Sequence, residues 1–187
     1  MIELFAAIQN VSGDGNCGIY SIMEGLYNND IDFNTDVDCF RRSIVEYIDC
    51  NRNKILPGLQ FRNKRKSDGT IRGRSKDDFI DKEVKDRIWN KDTVFNGGCD
   101  SKYWVDSQYM FPIIAEMYKL NVVWYTIIDS KNSKTNATLW RDGSWVDFET
   151  EGIQNPFLLI PGMNWRKIIL IVHYRSHYQC LKLHIPV

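Results

Sequence analysis

The hydrophobic pattern of this chain changes period once, at about Leu120, and that change narrows the folds open to it. Before it, apolar residues recur at helical spacing. Ile19, Ile22, Met23 and Leu26 follow Asn16 at offsets of 0, 3, 4 and 7, which predicts an amphipathic helix starting near Cys17 after the loop Ser12 to Asn16. Val37, Phe40, Ile44 and Ile48 predict a second helix from about Asp36 to Asp49, with Asn34 or Thr35 as its cap. Ser75 with Asp78 resembles a capping box ahead of Ile80, Val84 and Ile88, and Met110, Ile113, Ile114 and Met117 mark a fourth helix. Pro112 falls inside that fourth pattern and removes a backbone hydrogen bond, so the helix is either kinked there or begins later.

Beyond Leu120 come short β-branched and aromatic runs: Val122 to Ile128, Thr138 to Arg141, Ser144 to Phe148, Phe157 to Ile160, Ile168 to Tyr174 and His177 to Ile185. These read as strands. Asp142-Gly143 is a two-residue hairpin signal, and Ser176 sits in the tight connection between the last two runs. Helices first and strands afterwards describe an α+β fold with a mostly antiparallel sheet, and the absence of any internal repeat makes residues 1–187 a single domain.

Charge and cysteine usage exclude several function classes. With 24 Lys+Arg against 24 Asp+Glu there is no net field to draw nucleic acid or an anionic membrane. The longest apolar run, Ile168 to Val172, is far short of the roughly 20 residues a bilayer span needs, and Met1 to Val11 lacks the basic start of a secretory signal. A soluble protein with no membrane partner is expected. The five cysteines, Cys17, Cys39, Cys50, Cys99 and Cys180, form no CxxC pair and suit neither a disulfide scaffold nor a four-ligand zinc site, which implies a reducing, cytoplasmic setting and no metal.

One cysteine has distinctive surroundings. Gly13-Asp14-Gly15-Asn16-Cys17 puts a thiol at the first turn of a helix, directly after a glycine-containing loop. The positive end of a helix favours thiolate over thiol, and the unpaired amides of such a loop can hold an oxyanion on an attacked carbonyl. A buried core cysteine is the ordinary alternative. A cysteine nucleophile needs an imidazole to activate it and to protonate the leaving amine. The three histidines, His173, His177 and His184, all lie in the last fifteen residues, so this chemistry requires the two ends of the chain to meet. His173 closes an apolar run and suits a sheet interior, whereas His177 follows the tight connection. Gln179, two residues on, shares its strand face and can accept from its ring.

Asp14-Gly15-Asn16-Cys17, Trp104-Val105-Asp106 ahead of an apolar helix, and His177-Tyr178 after an apolar strand resemble, in order and spacing, the ovarian tumour (OTU) family of deubiquitinating cysteine proteases. The resemblance spans Asp14 to about Leu183. It implies a papain-like OTU fold, a mostly antiparallel sheet packed between helices, and a thiol protease that cleaves after the Gly-Gly tail of ubiquitin or a ubiquitin-like modifier. It further implies Cys17 as nucleophile, His177 as base, the backbone amides around Asp14, Gly15 and Cys17 as oxyanion hole, and Trp104 beside the cleft. The partner is then ubiquitin or polyubiquitin, the enzyme a monomer without cofactor, acting in the cytoplasm or, for a viral or injected protein, the host cytosol. One position departs from the family pattern: Gln179 stands where Asp or Asn is usual, so the group that orients His177 is Gln179 or a residue upstream of the cysteine, Glu3 or Asn10. Two rivals follow, a catalytically silent ubiquitin-binding module and a viral-type protease processing its own polyprotein. Arg62 to Lys76, with seven basic residues and one acid, reads as a solvated loop, and the acidic segment Asp77 to Asp92 as the better match to the basic tail of ubiquitin.

Overall fold

The computed structural model describes residues 5–31, 35–55, 75–128, 133–141, 144–151 and 167–184. Six strands form one sheet: β1 (Phe5–Gln9), β2 (Asn121–Ile127), β3 (Ser133–Arg141), β4 (Ser144–Glu151), β5 (Ile168–Tyr174) and β6 (His177–His184). Their order is β1-β6-β5-β2-β3-β4, and only the β2–β5 pair is parallel, so the sheet is mostly antiparallel as the sequence predicts. β1 is not foreseen by the sequence pattern. Its Phe-Ala-Ala-Ile-Gln run has no apolar and polar alternation to announce a strand, and it forms by adding to the open edge of β6, with Gln9 opposite Cys180. Arg141 stands opposite Ser144, as a two-residue hairpin requires, although Asp142-Gly143 and the run Phe157 to Ile160 lie outside the described residues.

Among the described residues the longer helices are α1 (Cys17–Tyr27), α2 (Val37–Cys50), α3 and α4 (Ser107–Tyr118). In α3, Lys76–Phe79 passes into a π-helical stretch, Ile80–Lys85, and closes with Asp86–Ile88. Ser75 caps it, its Oγ accepting from the Asp78 amide at 3.1 Å while donating to the Asp78 carboxylate at 2.8 Å. Asp36, not Asn34 or Thr35, caps α2, because its carboxylate reaches the Cys39 amide at 2.8 Å; that bond also holds its pKa below the usual range. α4 begins at Ser107, well before Pro112, so the proline sits within the helix rather than at its start.

Ile19, Ile22 and Leu26 of α1, Phe40, Ile44 and Ile48 of α2, and Phe111, Ile113 and Ile114 of α4 are all at most 1% exposed and form one core with β2 and β5. Each such side chain contributes about 1.5–3 kcal/mol by leaving water. Tyr178 of β6 joins the helices: its ring packs edge-on to Phe111 of α4, and a Cβ on Gly18 of α1 would lie 3.3 Å from it and 2.6 Å from Val105. Only glycine lets the start of α1 come this close to Val105, with the Tyr178 ring of β6 packed alongside. The N-terminal turn of α1 and the first residues of β6 are thereby brought together, which joins the two ends of the chain.

Candidate active site

Cys17 is the first residue of α1 and 6% exposed. Its Sγ accepts from the Tyr178 amide at 3.5 Å and lies 3.9 Å from the Ser176 carbonyl, so the thiol faces the backbone on both sides of His177. The Arg175-Ser176 turn, with Arg175 at a φ of 57°, pairs Tyr174 with His177 and fixes that register. His173 stands opposite Tyr178, its ring stacked on the tyrosine at 4.1 Å, and burial lowers its pKa. His184 lies at the far end of β6, opposite Phe5.

The loop before Cys17 is tightly built. Gly15 has a φ of 92°, and a Cβ there would meet the Cys99 carbonyl at 2.3 Å and the Trp104 indole nitrogen at 2.9 Å. Glycine is needed for the backbone angle and for the space. Asp14 organises the turn: its carboxylate accepts from the Asn16 amide at 2.9 Å and the Tyr20 hydroxyl at 3.1 Å, and its carbonyl accepts from the Cys99 amide at 3.0 Å. The Asn16 amide is thus occupied, while no protein group among the described residues takes the amides of Gly15 and Cys17. Trp104, 42% exposed, covers this loop from the side.

Of the residues singled out in the sequence, Asp14, Gly15, Cys17 and Trp104 therefore converge, and the backbone on either side of His177 lies beside the Cys17 thiol. Gln179 has a different partner from the one expected. Its amide nitrogen donates to Asn10 Oδ1 at 2.9 Å, and among the described residues it makes no hydrogen bond to His177. Two of the three candidates for orienting His177 are bonded to one another, because Asn10 lies one step past the Gln9–Cys180 pair and so beside Gln179. Glu3 lies outside the described residues, as does the basic stretch up to residue 74. In the acidic segment, Asp77 and Asp81 bond to Arg52, Asp81 also to Lys85, Asp78 to Lys82 and Glu83 to Arg87, so these four carboxylates have partners within the chain.

Sequence reasoning missed the support beneath the loop. Asn16 resembles an N-cap, yet its side chain makes no cap bond; Nδ2 donates to the Phe95 carbonyl at 2.8 Å and Oδ1 accepts from Arg41. Cys99 Sγ is 3.3 Å from the Gly15 carbonyl and 3.4 Å from Asn16 Oδ1. Burial raises the Cys99 pKa while the Arg41 guanidinium pulls it down, and the net rise keeps Cys99 a thiol donor to these oxygens. A signal was present in α2: Arg41 stands on the stripe Val37, Phe40, Ile44, Val45 and Ile48, where a charge is out of place.

The chain has the fold of the OTU domains. Over 94% of its length it matches the crystal structure of an OTU deubiquitinase from Wolbachia pipientis wMel bound to ubiquitin, covering 94% of that chain with a TM-score of 0.51 at 14% identity. A second structure of an OTU deubiquitinase from the same organism is matched over 94% of this chain and 87% of that one, with a TM-score of 0.55 at 12% identity. The viral OTU domain protease from Dera Ghazi Khan virus is matched over 97% of this chain and 86% of its own, with a TM-score of 0.51 at 12% identity. No protein-family model and no curated protein sequence matches the chain, and the likeness is one of fold.

Proposed function

We propose that this protein is a cysteine isopeptidase that removes ubiquitin, or a ubiquitin-like modifier, by cleaving after its C-terminal Gly-Gly. The observation that carries the reading is the meeting of the Cys17 thiol, at a helix start behind a loop with two open amides, with the backbone on either side of His177. The Cys17 thiolate attacks the carbonyl of the terminal glycine, and the oxyanion that forms accepts from the amides of Gly15 and Cys17. His177, having taken the thiol proton, passes it to the departing lysine amine. Water then adds to the thioester, losing its proton to His177, and Cys17 is released. Trp104 walls the loop side of the cleft, and the Gln179–Asn10 pair, on the same face of β6 as His177, offers an oxygen to the imidazole only once the ring is charged. No step of this reaction calls on a metal. Ubiquitin as the partner is supported by the Wolbachia relative, solved bound to ubiquitin. Among the described residues no helix is long and apolar enough to cross a membrane.

A ubiquitin probe with a C-terminal electrophile tests this directly. Covalent capture at Cys17 is expected, since it needs both recognition and a competent thiolate. Binding without capture would leave the silent module as the better account, and no binding at all would favour the processing protease.

Two further outcomes follow from the geometry. Gly15→Ala is expected to lower kcat by roughly 10²- to 10³-fold, because the new methyl group pushes the loop away from Cys99 and Trp104 and misplaces an oxyanion donor. The strained φ should also cost about 1–3 kcal/mol in a denaturant titration. Gln179→Ala should lower kcat roughly 5- to 150-fold with KM little changed if Gln179 bonds the imidazole when it becomes charged during turnover, as for one such hydrogen bond left unmade, and should leave kcat at the parent value if its only partner is Asn10. Since Gln179 and Asn10 are bonded, Asn10→Ala added to it should cost little more. If Asn10→Ala alone loses a hundredfold and Gln179→Ala nothing, the orienting group is Asn10.

A further inference from the structure

Arg41 is fully buried, at 0% exposure, in the apolar stripe of α2. Its Nε and Nη2 both donate to Asn16 Oδ1, at 3.2 and 2.8 Å; Nη1 donates to the Ile88 carbonyl at 2.8 Å, and Nη2 also to the Tyr103 carbonyl at 3.2 Å. Nη2 lies 3.7 Å from Cys99 Sγ, and the guanidinium sits 4.6 Å from the centre of the Phe95 ring. Among the described residues no carboxylate is hydrogen-bonded to it. Burial lowers its pKa to about 10, which leaves it charged at neutral pH. A buried cation held by neutral acceptors alone is a costly arrangement, and a leucine would fill the stripe without that cost.

The cost has a local return at Asn16. Three segments converge on this one side chain, α2 through Arg41, the segment at Phe95 through its carbonyl and Cys99 through its thiol, and Asn16 leads directly into α1. Asn16 also lies between Gly15 and Cys17, the residues whose amides are open. We propose that Arg41 is a positioning residue for acyl transfer: through its two-pronged hold on Asn16 it fixes the 14–17 loop so that the Gly15 and Cys17 amides converge on the carbonyl that Cys17 attacks. A lysine cannot replace it, because one nitrogen cannot span Asn16, Ile88 and Tyr103 together. The inference rests on the isopeptidase reading for its natural substrate, though not on ubiquitin as such.

The test separates two reactions of the same thiol in the full chain. Cleavage of a ubiquitin C-terminal fluorogenic amide builds an oxyanion, whereas alkylation of Cys17 by iodoacetamide is a displacement at carbon that releases iodide and builds none. For Arg41→Lys, kcat is expected to fall about 10- to 100-fold with KM within about twofold, while alkylation of Cys17 stays within about twofold of the parent. Asn16→Ala should give the same split, and the double variant should be no slower than the slower single one. Equal losses in cleavage and alkylation, multiplied losses in the double variant, or parental kcat in a folded Arg41→Lys would overturn the proposal. Should Arg41→Lys fail to show a cooperative melt, Asn16→Ala decides by the same split. If the parent is inert toward the ubiquitin substrate but is acylated at Cys17 by a glycine p-nitrophenyl ester, the ubiquitin reading fails, and the ester replaces the amide in the same comparison for Arg41.

Discussion

Cys17→Ala is expected to abolish cleavage of ubiquitin chains, with kcat/KM down by more than about 10⁴-fold, while the protein still folds and still binds ubiquitin. The stability argument is local. Alanine is the best helix former for the first turn of α1, and the lost sulfur leaves a small gap and one Tyr178 amide without its acceptor, together about 1 kcal/mol. The loop keeps its shape because Asp14, Gly15 and Asn16 hold it through other atoms. Loss of activity in a variant that melts and binds like the parent therefore reports the thiol alone. Cys99 is the internal control, since it lies under the same loop yet is engaged as a donor to Gly15 and Asn16. Turnover of more than a few per cent in Cys17→Ala, or capture of the electrophilic probe at Cys99, would falsify Cys17 as the nucleophile.

The parts of the fold legible in the sequence are those fixed by short-range periodicity. The apolar face of α2 and the start of α1 at Cys17 follow from spacing, and β2, β5, β6 and most of β4 follow from composition and turns, whereas β3 is legible only from Thr138 and its polar first half, from Ser133, is not. β1 escaped because an edge strand is specified by the partner it joins: Phe5 to Gln9 become a strand only because β6 offers unpaired backbone groups. The cap of α2 shifted for a similar reason, since Thr35 and Asp36 are both competent caps and only the path of the chain decides which reaches the Cys39 amide. At the site, the residues carrying a motif were legible, whereas the platform under them was not. Asn16, Phe95, Cys99 and Arg41 are separated by up to 83 residues, and no local pattern links them. The Gln179–Asn10 bond, across 169 residues, is of the same kind. By sequence the two residues are alternatives to one another, and only the addition of β1 beside β6 places them in contact.

His177→Ala is expected to lower kcat by about 10³-fold or more, and His173→Ala to leave it close to the parent value. Both histidines lie near the β5–β6 turn, so proximity in sequence does not separate them; their cross-strand partners do. His173 is paired with Tyr178 and stacked on its ring at 4.1 Å, and burial there favours the neutral imidazole, so it is poorly placed to gain and release a proton in each cycle. His177 begins β6 between the two backbone groups that touch the Cys17 thiol. His184, seven residues further along the strand, is roughly 23 Å away at about 3.3 Å per residue. Without His177 the thiol must lose its proton to solvent and the lysine amine must leave without an acid, so both halves of the cycle slow while substrate binding is untouched. KM should therefore change far less than kcat. Added imidazole should restore part of the rate of His177→Ala by occupying the space the side chain leaves, and it should do nothing for Cys17→Ala. If His173→Ala is the variant that collapses, or if His177→Ala keeps more than about a tenth of the parent rate, the base is not His177 and the meeting of Cys17 with the start of β6 has only a structural purpose.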